Sequence, residues 1–154
     1  MATALLILHG LVAVALLGAI THQTLAAWTS FGARSRSFLG RFRAVQPAAY
    51  AKAIVGLYVS AALLGAVVYL YFNVDNQPGL ERDRRWHALG FFDLKEDFVA
   101  IGFGLLPAYW ISWRQPFADE RDRTAAPLTT ILAFIVWWSF LVGHVTNNVM
   151  GFGS

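Results

Sequence analysis

Cysteine is absent from this chain of 154 residues, methionine occurs twice, and charged side chains make up 14% of it. Without a thiol there can be no disulfide, thiolate metal site, iron–sulfur cluster, covalent haem attachment through a CxxC motif or cysteine nucleophile. Any cofactor must be held without thiolate ligands. Neither an HExxH nor a GxSxG pattern occurs, which leaves hydrolytic catalysis without a starting point. With 57% of residues hydrophobic and a mean hydropathy of +0.52, too little charge remains to coat a soluble particle of this size. The chain belongs in a lipid bilayer, and no nucleic-acid partner is expected.

Three stretches, 2–21, 53–72 and 125–152, contain no Asp, Glu, Lys or Arg. Each reaches the ~20 residues that a helix needs to cross a hydrocarbon layer roughly 30 Å thick. A fourth stretch, 98–113, is short, but Asp93 followed by Glu96 has the spacing of a capping box that would start its helix earlier. These signals predict an all-α fold of one domain over 1–154. The expected form is a four-transmembrane-helix up-down bundle with spans at about 2–27, 50–72, 94–113 and 126–150. The first apolar run is expected to be a retained helix rather than a secretory leader, because no positive charge precedes it and it is too long.

Basic residues set the topology. The connection after the first span carries Arg34, Arg36, Arg41, Arg43 and Lys52 with no acid, and is expected on the cytoplasmic side against anionic lipid. The connection between the second and third spans has Arg82, Arg84, Arg85 and Lys95 against Asp75, Glu81, Asp83, Asp93, Glu96 and Asp97, so it is net acidic and expected outside. The last connection, with Arg114, Arg121 and Arg123 beside Asp119, Glu120 and Asp122, is expected to return to the cytoplasm. Both termini then lie outside, in a membrane expected to be a bacterial inner (plasma) membrane. Between helices 2 and 3, residues 79–92 set Trp86, Leu89, Phe91 and Phe92 against five charges, the pattern of an interfacial segment over the mouth of the bundle.

Two histidines, His9 and His144, fall inside uncharged spans. At ~1.5 Å per residue, His9 lies about 9 Å below the start of its helix and His144 a similar distance below the end of its own. The two are therefore expected at one depth, on first and last helices that are commonly neighbours in such bundles. An imidazole in hydrocarbon is costly unless partnered, which makes it a functional candidate. Two opposed neutral imidazoles in a thiol-free site suit axial ligation of haem b, with iron between His9 and His144. The bland counterpart is an interhelical hydrogen bond worth about 0.6–2 kcal/mol. His87, in an interfacial position, is an alternate ligand.

On the last helix Thr130, Phe134, Trp137, Leu141, His144 and Asn148 form one stripe, with Asn147 adjacent. Asn147 or Asn148 is a candidate donor to a haem propionate, a quinone carbonyl or a loop carbonyl, and Arg82, Arg84 and Arg85 are candidate propionate partners. On the first helix Leu16 and Gln23 share the face of His9, whereas His22 points roughly 140° away at ~100° per residue, so at most one bis-histidine haem is expected. Deep carboxylates and lysines are not expected in any span, which argues against ion translocation by this chain alone. Small-residue spacings at Gly56 and Ser60 and at Ala61 and Gly65 allow close helix packing.

The expected function is thus that of a membrane subunit in an electron-transport system, holding one haem b near the outer face and relaying electrons to a partner subunit or a quinone. The alternative is a cofactor-free accessory subunit that packs against other membrane proteins.

Overall fold

The computed structural model describes residues 2–28, 47–75, 77–114 and 118–150. Among them there is no strand. The chain forms α1 (Ala2–Trp28), a 3-10 turn (Pro47–Tyr50), α2 (Ala51–Asp75), the short α3 (Gln77–Arg82), α4 (Trp86–Arg114) and α5 (Ala118–Met150). The basic connection bearing Arg34, Arg36, Arg41 and Arg43 lies outside the described residues.

Helices are what a chain this apolar must form in lipid, where no water is available to satisfy backbone N–H and C=O groups. Among the described residues three helical stretches are long and apolar enough to cross a membrane: Thr3–Trp28, Ala48–Asp75 and Thr124–Asn148. The protein is therefore a membrane protein in contact with lipid. α4 is as long as these, but its first turns carry Asp93, Lys95, Glu96 and Asp97. It begins at Trp86, earlier than the Asp93 capping pattern suggests. The break lies at Arg84, whose φ of 55° turns the chain out of α3, after which the amides of Ala88 and Leu89 bond to the Arg85 carbonyl and open α4. The interfacial segment expected over 79–92 is thus divided between α3 and the first turns of α4.

The four long helices close into a ring, α1 against α2 and α5, and α4 against the same two neighbours. One half of the ring is tightly filled. Ile20, Ile54, Tyr109, Leu132 and Thr129 are fully buried there, and so is Gln23, on the face of α1 that also carries His9 and Leu16. Hydrogen bonds cross this half in several directions. Tyr109 Oη donates to Gln23 Oε1 at 2.5 Å, Trp113 Nε1 to Thr129 Oγ1 at 3.0 Å, and Tyr58 Oη to the Val99 carbonyl at 3.0 Å. Trp28 and Trp137 tie α1 to α5 through Thr130 and Thr21. His22 stacks on Tyr50, with ring centroids 4.9 Å apart.

Gly102 is required at the crossing of α2 and α4. A Cβ there would overlap the Tyr58 hydroxyl and stand 3.2 Å from Ile135 Cγ2. Outside the ring each long helix presents large apolar side chains, among them Leu11 on α1, Leu63 on α2, Ile101 on α4 and Phe134 on α5. Such a surface is suited to hydrocarbon.

Gly102→Ala is expected to cost about 1–3 kcal/mol, because the Tyr58 ring must move and give up its bond to Val99. In a Tyr58→Phe background the same change should cost less, a non-additivity that a double-mutant cycle of unfolding in mixed micelles would detect. Tyr109→Phe should destabilise by about 1–2 kcal/mol, more than Trp137→Phe, since the Gln23 amide it deprives is fully buried.

Candidate functional site

The other half of the ring is not filled. Between the four long helices lies a cavity of about 260 Å³, reached by side chains from every one of them. This approaches the ~300–1,000 Å³ of small-molecule sites. Small residues make the space: Gly10 and Ala13 on α1, Ala61 and Gly65 on α2, Gly143 on α5. Its walls are mostly apolar, with a few polar groups converging on it.

His9 and His144 both line this cavity. From opposite ends of the sequence, they come to one site, as their depths in the two helices suggest. The His9 ring is seated against α2. A Cβ at Gly65 would stand 3.2 Å from its Cε1, 3.7 Å from Nδ1 and 3.9 Å from Nε2, and the ring approaches the main chain at Ala61. A side chain at position 65 would require the imidazole to give by a few tenths of an ångström. The Ala61 and Gly65 spacing therefore serves to seat His9, whereas Gly56 and Ser60 face outward.

His144 is held differently. Asn148 Nδ2 lies 3.1 Å from its Nε2 and donates to its carbonyl at 2.9 Å, and its ring is parallel to Phe140 with centroids 6.2 Å apart. Asn148 thus orients His144 and does not itself line the cavity. The stripe drawn through Thr130, Phe134, Trp137, Leu141, His144 and Asn148 is the exposed face of α5, which sets His144 at the cavity margin. The inward stripe runs one residue out of phase, through Thr129, Leu132, Ala133, Val136, Gly143 and Thr146. In lipid the bulky aromatics gain nothing by turning inward, while Ala and Gly let helices approach closely, so packing selects the smaller stripe.

Arg84, Arg85 and His87 are exposed, at the α3–α4 break and in the first turn of α4, and none lines the cavity. Lys95, Glu96, Ser139 and Thr146, which were not expected in the site, also line it, as does Asn147, the expected alternative to Asn148 as a donor. Lys95 and Glu96 are assigned by their charge to the outer connection, yet they lie well inside α4. Lys95 Nζ pairs with Glu96 Oε1 at 2.5 Å and sits 4.2 Å from the centre of the Phe92 ring. The lysine side chain is 13% exposed and the glutamate 32%. A signal existed: Phe92, Lys95, Val99, Gly102, Leu106, Tyr109 and Trp113 recur every three or four residues and form the inward face of α4.

Three polar atoms of lining residues, His9 Nδ1, Ser139 Oγ and Asn147 Oδ1, are buried without a hydrogen-bond partner among the described residues. Each such atom costs about 1–3 kcal/mol unless something in the cavity bonds to it. Water or a ligand with polar edges meets that need. Among the described residues no three His, Asp or Glu side chains are grouped closely enough to hold a bare metal ion.

Comparison of the chain with protein-family models, with characterised proteins and with solved structures finds no match. The functional argument therefore rests on the geometry.

Gly65→Ala is expected to push the His9 ring by a few tenths of an ångström, whereas Gly56→Ala, whose Cβ meets nothing within 4 Å, leaves it in place. Imidazole NMR shifts of His9 should change in the first variant and not in the second.

Proposed function

We propose that this chain is an integral membrane subunit of an electron-transport system, a four-span up-down bundle that holds one haem b in the cavity bordered by His9 and His144. The observation that carries the reading is that the two intramembrane histidines, far apart in sequence, line the same cavity. Support for the up-down arrangement comes from the pairing of helix ends. Trp28 meets Thr130 while Thr21 meets Trp137, and Phe72 stacks on Phe92 while Tyr58 reaches Val99. α4 then serves as the third span through residues 98–113, with Ile101 and Ile111 facing lipid. The basic connections place its other end in the cytoplasm, so the cavity opens toward the outer half of the membrane with both termini outside.

The residues fit the group in specific respects. The wall contributed by Gly10, Ala13, Ala61, Gly65 and Gly143 leaves a cavity of about 260 Å³ between the helices. The His9 imidazole has Nδ1 nearer than Nε2 to the α2 wall at Gly65 and is close to the Ala61 main chain. Use of His144 through Nε2 requires Asn148 to release that nitrogen. When bound, haem supplies one-electron chemistry, and the apolar walls hold water away from it. His9 and His144 orient the ligand, and Asn147 and Ser139 offer hydrogen bonds to its polar edge.

A cofactor-free accessory subunit is the second reading, favoured by the large apolar side chains on the outside of every long helix, a surface that suits neighbouring membrane subunits as well as lipid.

Reduced-minus-oxidised absorbance of the purified chain separates the two. A Soret difference band that loses its low-spin form in both His9→Ala and His144→Ala supports haem ligation. A featureless Soret region in the wild-type protein removes it and leaves the accessory reading.

A further inference from the structure

A second concavity lies on the outside of the ring, in the seam between α2 and α4. It is a groove of about 570 Å³ whose walls are Val55, Gly56 and Val59 from α2 and Phe103, Leu106 and Pro107 from α4, with Lys52 and Trp110 at one end. Two features of the sequence keep it open. A Cβ at Gly56 would meet nothing within 4 Å, so the α2 wall is hollow at its middle. Pro107 carries no N–H and cannot bond back to the Phe103 carbonyl, which loosens α4 on the same face.

The polar end of the groove is cationic. Lys52 stands exposed at the start of α2, and the Arg114 guanidinium lies 5.2 Å from the centre of the Trp110 ring at the end of α4. Neither is in an ion pair among the described residues. Two cations that meet no acid among the described residues, beside an indole and above an apolar slot, match one class of occupant in chemistry and in order: an anionic phosphate joined to an acyl chain. The slot spans residues 52–59 of α2, about 10 Å at ~1.5 Å per residue, long enough to order the upper part of a chain. Basic sites between membrane helices at the cytoplasmic face are recognised ways of holding anionic lipid, and an indole at that level anchors the interface.

We propose that the α2–α4 groove is a binding site for an anionic phospholipid, its phosphate held between Lys52 and Arg114 and one acyl chain laid along Gly56 and Pro107. The site is independent of whatever the central cavity holds.

Native mass spectrometry of the full chain, released from nanodiscs of equal phosphatidylglycerol and phosphatidylcholine, tests this directly. The wild-type chain should retain phosphatidylglycerol preferentially. Each cation is worth about fivefold in such an interaction, so Lys52→Gln with Arg114→Gln should lower the preference about thirtyfold. Lys52→Arg should keep it. Gly56→Leu, which fills the slot and leaves both charges, should reduce retention of the lipid without restoring phosphatidylcholine. Equal retention of the two lipids by the wild-type chain overturns the proposal, as does a preference that survives the double substitution. Chains that emerge as dimers without lipid put a second copy in the groove and overturn it as well.

Discussion

Polar atoms buried in hydrocarbon have to be paired, and this constraint divides the bundle into two unlike halves. Around Gln23, Tyr58, Tyr109 and Trp113 every crossing donor has an acceptor on another helix, and the side chains around them are fully buried. Around His9, Ser139 and Asn147 the corresponding atoms are buried and meet no partner among the described residues, and a cavity lies between the helices. Apolar side chains gain little by moving from lipid into a protein interior, so these hydrogen bonds and the close contacts of small residues decide how the four helices meet. The satisfied half fixes the ring. The unsatisfied half is held open by it and is suited to an occupant that supplies the missing bonds.

Placement of charge within α4 follows from the same division. Lys95 and Glu96 are adjacent in sequence, and successive side chains on a helix diverge by ~100°, so the pair meets only because both bend toward the cavity wall. Their opposite charges leave that wall close to neutral, and the Lys95 head is further covered by Phe92. Behind them Phe72, Leu80 and Phe92 form a small separate core with Tyr69 and Leu89, which packs α3 against the ends of α2 and α4. The cavity therefore has an apolar floor at Leu16 and Tyr58 and a charged but balanced wall at the level of the histidines.

The outside of the molecule shows how little the pattern of large side chains reveals about the inside of a membrane protein. Trp137, Phe134 and Leu141 face outward, and Ala133, Val136 and Gly143 face inward. On α2, likewise, Ala61 and Gly65 are turned to the ring, where Gly65 receives the His9 imidazole, while Gly56 is turned out to the seam with α4. Spacing alone does not distinguish these two glycines. What separates them is which neighbour each one meets.

The composition and the long uncharged runs were enough to establish an all-helical membrane protein without thiol chemistry, because in lipid a backbone has few ways to satisfy itself. Rise per residue converts position into height and led to the expectation of one depth for His9 and His144, and the two do line one cavity. Helix rotation was not legible. The α5 stripe bearing His144 reads as an inward face until α1 and α4 are packed against the smaller stripe beside it. The place of Lys95 and Glu96 was hidden for a related reason: charge counts them with the outer connection although the expected third span, 94–113, contains them, and only the packing of α4 turns them to the cavity. The emptiness of one half and the fullness of the other belong to the tertiary structure alone, because a cavity is a property of four surfaces brought together and of no one helix.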